Sequence, residues 1–157
     1  MAVESHETPI GALWLRVEQG ALAQLSWTRP DGPKMEPSVE DVPALAQTRS
    51  WLDAYFGGRF EPFPILLQPA GGAFYQRVWQ ALLAIEPGQT RTYGEVAQAL
   101  GSGARAVGNA VAANPIPVII PCHRVVGKSG LGGYSGDGGL TTKTQLLRLE
   151  GALPGEA

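Results

Sequence analysis

The sequence predicts an α+β chain, with a small antiparallel sheet and one helix first and a mostly helical segment after it. Three observations predict this. Two runs of period-2 alternation flank a Gly-containing turn near the start, 3.6-period stripes dominate after residue 73, and PAGGA at 69–73 separates the two patterns. Residues 1–69 are therefore expected to form an N-terminal α/β domain, and residues 70–157 a C-terminal helical domain.

The first run is GALWLRV, in which Leu13, Leu15 and Val17 alternate with Ala12, Trp14 and Arg16. After Glu18-Gln19-Gly20, the run ALAQLSW places Ala21, Ala23, Leu25 and Trp27 on one face. Two such runs around a tight turn predict a β-hairpin. RPDGPKMEP is a loop by its Pro and Gly content. From about Ser38, the residues Leu45, Thr48, Leu52 and Phe56 fall at helical spacing, and Gly57-Gly58 supplies the stop. FPILLQ has the composition of a short strand.

Beyond PAGGA, Phe74, Val78, Leu82 and Ile85 make one helical stripe that ends at Pro87-Gly88. Thr92 and Glu95 have capping-box spacing, which puts Tyr93 at the first helical position of YGEVAQAL. A short Ser102-Gly103 turn leads to ARAVGNAVAAN, which ends at Asn114-Pro115. Two short helices joined by a glycine-containing turn predict a helix-turn-helix. The second helix carries little bulk, and Arg105 is its only charge. Such a helix suits close approach to a nucleic-acid groove, and equally suits tight packing in a core. GLGGYSGDGGL reads as a loop before a last helix, TTKTQLLRLEG, capped by Thr141 and ended by Gly151.

Composition narrows the function classes. The chain has 157 residues, 44% of them hydrophobic, and no run near the ~20 apolar residues of a membrane span. MAVESHETPIG lacks the apolar core of a signal peptide, so a cytoplasmic protein without a membrane partner is expected. Residues 1–73 hold five Lys/Arg against nine Asp/Glu, whereas residues 74–157 hold seven against five. The second half is thus mildly positive, which is compatible with nucleic acid. One cysteine excludes an internal disulfide, and Cys122, His6 and His123 are too few soft ligands for a structural zinc. No metal and no cofactor are expected.

That cysteine sits in VIIPCHRVVG, residues 118–127. A free thiol is only a few per cent ionised at neutral pH, so a nucleophilic cysteine needs a base or a nearby positive charge. His123 and Arg124 follow at once. Neighbours in an extended segment point to opposite faces, so a bend at Pro121 or a bridging water is needed to bring Cys122 and His123 together. A histidine base also needs an orienting acceptor, and Glu150 on the last helix is the natural candidate.

IPCHRVVG, read with TYGEVAQAL before it and GGYSG after it, closely resembles the O6-alkylguanine-DNA alkyltransferases, or methylated-DNA–protein-cysteine methyltransferases. The likeness is dense from Phe74 to Gly151 and looser over the TPIGAL hairpin. It implies that the C-terminal domain is a winged helix-turn-helix-like DNA-binding domain carrying the active-site cysteine. It implies alkyl transfer from O6-alkylguanine, with O4-alkylthymine as a second candidate, irreversibly to Cys122, once per molecule. On this resemblance His123 takes the thiol proton through a water, Glu150 orients His123, and Tyr93 donates to N3 of the damaged guanine. Ser135 hydrogen-bonds O6, and Tyr134, Val125 and Asn114 complete the substrate site, Asn114 as the hinge of the recognition helix. Arg105 takes the place of the extruded nucleotide. Ala104, Ala106, Gly108 and Arg124 join it at the minor groove of double-stranded DNA, which a monomer binds.

Arg77, Arg91 and Lys128 are further candidates for phosphate contact, or ordinary solvated charges. Three features depart from the family pattern: a short GSGA turn, no zinc-binding residues in the N-terminal segment, and Asp137 in the glycine-rich loop. Two other classes compete. A non-catalytic alkyltransferase-like lesion-binding protein characteristically lacks the acceptor cysteine, which is present here. A Cys-His-Glu hydrolase would leave the helix-turn-helix without a purpose and lacks an oxyanion-hole signature.

Overall fold

The computed structural model describes residues 1–32 and 36–153, so Pro33, Lys34 and Met35 of the expected RPDGPKMEP loop lie outside the described residues. The chain divides into two compact units, Met1–Ala70 and Gly71–Ala157.

The first unit is a three-stranded antiparallel meander, β1 (Ala2–Thr8), β2 (Gly11–Glu18) and β3 (Ala21–Ser26), with α1 (Asp41–Phe56) packed on it. The expected hairpin is β2–β3, joined at Gln19 and Gly20. Both residues have positive φ, 50° and 80°, which is the backbone twist a two-residue hairpin turn needs. Leu13, Leu15 and Val17 are wholly buried, as their alternation predicts. The face of β3 differs from the expectation. A register shift at Arg16/Val17 leaves Ala23 without a partner, so that Leu22 pairs with Val17 and is fully buried while Ala23 is only half-buried. A bulge of this kind breaks strict alternation. β1, the other arm of the TPIGAL hairpin, has no signal of its own in the residue pattern, because AVESHET buries only Ala2 and has no apolar face to read.

FPILLQ is not a strand. Two backbone bonds, Leu22 N–H to Leu66 O and Gln68 N–H to Leu22 O, make a single parallel bridge at Leu67. Pro62 and Pro64, which cannot donate, precede it. Aromatic contacts hold the segment instead. Trp51 stacks on Tyr55 at 5.2 Å and meets Phe63 edge-on at 5.7 Å, and its Nε1 donates to Glu61 O. α1 begins three residues later than expected, since Ser38 Oγ accepts from Asp41 N–H and belongs to the preceding turn.

The second unit holds α2 (Ala73–Leu83), β4 (Arg91–Thr92), α3 (Tyr93–Leu100), α4 (Ala104–Ala112), a single 3-10 turn over Cys122–Arg124, β5 (Val125–Val126) and α5 (Gly139–Leu149). β4 and β5 form a two-residue parallel pair, Arg91 with Val125 and Thr92 with Val126. α2 buries Val78, Trp79 and Leu82, and Trp79 Nε1 donates to Ala110 O at 2.9 Å, binding α2 to α4. α3 and α4 pack as the expected helix-turn-helix, and Gly101 at φ 66° ends α3 in the left-handed conformation that turn requires.

Two details of this unit correct the sequence reading. α5 is not capped by Thr141. It starts at Gly139 after Gly138, whose φ of 83° turns the glycine-rich loop directly into the helix. Glu150 follows the last helical residue, and Gly151 at φ 81° with Ala152 N–H to Leu147 O closes a Schellman-type end. The β-branched run before Cys122 is not extended either. It is a series of turns in which Val118 adopts φ 73° while 1% exposed, an unfavourable conformation for a β-branched residue.

Candidate active site

Thr92 caps α3 with both bonds of a capping box. Glu95 N–H donates to Thr92 Oγ1 at 3.0 Å and Thr92 N–H donates to Glu95 Oε1 at 2.9 Å. This fixes Tyr93 as the first residue of the helix. Asn114, just past α4, holds the turns leading to the cysteine. Its Nδ2 donates to Ile120 O at 2.8 Å and its Oδ1 accepts from Ile116 N–H at 2.9 Å. Pro121 then directs the chain into the 3-10 turn, so Cys122 and His123 lie on a bend rather than on opposite faces of a strand.

A cavity of about 280 Å³ is lined by Tyr93 from α3, Gly108, Val111 and Ala112 from α4, Cys122, and Gly133, Tyr134 and Ser135 from the loop before α5. Sequence reading thus named four of its walls, Tyr93, Cys122, Tyr134 and Ser135, as well as Gly108. The three chain segments meet closely. A Cβ on Gly132, at φ 72°, would stand 3.0 Å from Tyr93 Cε2 and 3.2 Å from Gly127 N. That position must stay glycine for the loop to close on the tyrosine.

Behind the cysteine lies a buried charge network. Both ring and carboxylate are inaccessible where His123 Nε2 meets Glu150 Oε2 at 2.8 Å. Arg124 grips the same carboxylate with Nε to Oε1 and Nη2 to Oε2, each 2.8 Å, and donates through Nη1 to Ile85 O. Burial would raise the pKa of Glu150, but the hydrogen bonds from Arg124 and His123 outweigh it and hold it at about 2. Burial lowers the pKa of His123, against the pull of Glu150, so the ring is neutral at pH 7. With Nε2–H donated to Glu150, Nδ1 keeps its lone pair, and it has no protein partner among the described residues. Burial pushes the Cys122 thiol up, while Asn114, Lys143 and the backbone of the turn pull it down. Burial and the charge of Cys122 raise the pKa of Tyr93 and of Tyr134, leaving both phenols protonated.

Two expected site residues are elsewhere. Arg124 is 7% exposed and committed to Glu150 and Ile85, so it is no DNA-facing residue; the carboxylate that steadies His123 has drawn it inward. The Val125 side chain is wholly buried in β5, and its carbonyl accepts from Lys143 Nζ. Ala104, Arg105 and Ala106 are exposed on α4, and Gly108 is half-buried. Arg77 and Arg91 are exposed but donate to Leu100 O and Thr90 O, while Lys128 is exposed on the loop after β5. Asp137 is exposed, and its carbonyl accepts from Thr142 Oγ1.

Lys143 is the residue that sequence reading missed. Its side chain is buried, with Nζ donating to Val125 O at 2.7 Å and Gly133 O at 2.9 Å. A signal existed: Lys143, Leu146, Leu147 and Glu150 share one stripe at i, i+3, i+4 and i+7, so the lysine sits on the apolar face. Among the described residues no three His, Cys, Asp or Glu side chains gather as a metal site, and no helix is long and apolar enough to cross a membrane.

Residues 73–152 match the family model described as 6-O-methylguanine DNA methyltransferase, DNA binding domain. Over 153 residues the chain is 46% identical to a methylated-DNA–protein-cysteine methyltransferase of Mycobacterium leprae, with 93% of this chain and 90% of the relative covered. The crystal structure of Mycobacterium tuberculosis O6-methylguanine methyltransferase superposes with a TM-score of 0.81 at 38% identity, covering 99% of this chain and 96% of that one. Mycobacterium tuberculosis OGT in complex with DNA superposes at 0.80 with 40% identity, covering 97% and 94%. Matched by the family model over more than half of its length and alike to these relatives over nearly all of it, the chain that carries this site belongs to the methylated-DNA–protein-cysteine methyltransferase family.

Proposed function

We propose that this protein repairs double-stranded DNA by taking the alkyl group of O6-alkylguanine onto Cys122, irreversibly and once per molecule. The observation that carries the reading is the cavity that joins Cys122 to Tyr93 and Ser135, with neutral His123 held by Glu150 behind the thiol. The O6 position faces into the base pair, so the nucleotide must leave the stack to reach this cavity. α4 enters the minor groove along its exposed Ala104, Arg105 and Ala106, and the Arg105 guanidinium fills the gap left in the stack.

The chemistry follows from the protonation states. Nδ1 of His123 receives the thiol proton through a water, and the imidazolium formed is stabilised by Glu150. The sulfur forms a bond to the alkyl carbon as the bond from that carbon to O6 breaks, and the electron pair leaves with the guanine. Tyr93, kept protonated by burial, donates to N3, and Ser135 donates to O6, where the charge develops. Asn114 steadies the turns between α4 and the thiol, and Tyr134 closes the wall beside Ser135. No cofactor takes part. A thioether is a poor leaving group, so the thiol is not restored. One chain supplies the whole set, and the protein works as a monomer.

The test is the mass of the intact protein after incubation with a duplex containing O6-methylguanine. A gain of about 14 Da, saturating at one per chain and confined to the Cys122 peptide, is expected for a covalent acceptor thiol. Tight lesion binding with no mass change would mean a recognition protein with an unused thiol.

A further inference from the structure

The reaction proposed above uses a thiol, a base and a carboxylate, and leaves without a role a lysine ammonium buried within the same unit. Lys143 is 0% exposed on α5, and both of its hydrogen bonds go to backbone carbonyls rather than to a carboxylate. A buried charge of this kind is costly, and burial brings its pKa down to about 8, still charged at neutral pH. The two carbonyls are informative. Val125 lies three residues beyond Cys122, in the strand paired with β4 immediately before Tyr93. Gly133 lines the cavity beside Tyr134 and Ser135. One ammonium therefore ties the segment that follows the thiol to the loop that closes on the substrate.

The other titratable groups around the thiol offer it no positive charge. Tyr93 and Tyr134 stay neutral because burial raises them, and His123 stays neutral because burial lowers it. The charge of Arg124 is matched by Glu150 through two hydrogen bonds. Lys143 is left as the cation that acts on Cys122, and the attraction between them favours the ionised sulfur.

We propose that Lys143 is a positioning residue of the transfer reaction, which fastens the Gly133–Ser135 loop to the strand after Cys122 and stabilises the thiolate with its ammonium. This deepens the methyltransferase reading and rests on it for the role of the loop. The experiment reads the thiol without DNA. Alkylation of Cys122 by iodoacetamide is followed across pH in the wild type, in Lys143→Met, which keeps the length without the charge, and in Lys143→Arg. Removing the charge raises the midpoint of the thiol titration by about one unit, a tenfold loss of rate at neutral pH, and arginine restores the midpoint. An unchanged midpoint in a folded Lys143→Met protein overturns the proposal.

Should Lys143→Met fail to fold, NMR titration of the Lys143 side chain in wild type and in Cys122→Ser reads the same coupling. The Lys143 midpoint falls when the thiolate is removed, and equal midpoints overturn the proposal. If no methyl is gained from DNA while Lys143→Met still shifts the thiol, the repair reading fails and the electrostatic role of Lys143 stands. Normal methyl transfer with no shift has the opposite meaning.

Discussion

Arg124 and Glu150 meet through two parallel hydrogen bonds of 2.8 Å each, the fork of the guanidinium matched to both carboxylate oxygens in a buried setting. The carboxylate serves His123 from the same oxygen that takes Arg124 Nη2. The residue next to His123 therefore holds the carboxylate that anchors the imidazole.

Arg124→Ala leaves Glu150 buried without its main counter-charge. Breaking a buried ion pair from one side costs about 3–5 kcal/mol, so urea unfolding should show a loss of this size. Arg124→Lys keeps a charge but cannot make the bidentate fork, and should fall between the two while slowing transfer from alkylated duplex. Wild-type stability in either variant would show the pair to be ornamental.

Acid should destabilise the protein in two stages. The pKa of His123 is lowered in the fold, so stability present above its unfolded pKa, about 6.5, declines as pH falls below that value. Glu150 is lowered to about 2, so its contribution is complete above the unfolded value near 4.5 and is lost as pH falls from there toward 2. Chemical unfolding measured at a series of pH values should show both slopes, and Glu150→Gln should remove the lower one.

Gly132→Ala tests the closure of the loop on Tyr93. A side chain there meets the ring at 3.0 Å and a backbone nitrogen at 3.2 Å, at a φ of 72°. Strain of this type costs about 1–3 kcal/mol. The expected result is a lower unfolding midpoint with slower methyl transfer, whereas Gly133→Ala, whose Cβ meets nothing within 4 Å, should be mild in stability.

Arg105→Ala separates base extrusion from chemistry. Arg105 is exposed on α4, and its loss should slow repair of duplex DNA by roughly tenfold, equivalent to about 1.4 kcal/mol in the barrier. Reaction with the free base O6-alkylguanine needs no extrusion and should change little. Equal losses on both substrates would remove Arg105 from that role.

Local chemistry explains what the sequence made legible. The capping box of Thr92 and Glu95, the hairpin turn at Gln19-Gly20 and the stripe of α2 each act within a few residues, so their signals survive without knowledge of the fold. PCHRV marked the thiol, and the shortage of acids beyond residue 73 marked Glu150. The errors come from distance. Arg124 looks like a surface charge until Glu150, 26 positions away, is brought beside it. Lys143 looks like a solvated residue of a terminal helix until Val125 and Gly133 offer it carbonyls. FPILLQ has strand composition, yet its prolines and an available edge only at Leu22 limit it to one bridge.

The Schellman-type close at Glu150–Ala152 also has a meaning for synthesis. A ribosome delivers the chain from its N-terminus, and domains fold as they emerge. His123 leaves the exit tunnel, just after Cys122, 27 positions ahead of the carboxylate that its imidazole meets. Until α5 has emerged and its last turn has locked, the nascent chain carries Cys122 beside an imidazole with no anchor, and a loop at Gly133 with no lysine to fasten it. With the roles proposed for Glu150 and Lys143, reactivity arrives in a single late step, and a molecule that acts only once is not armed before it is built.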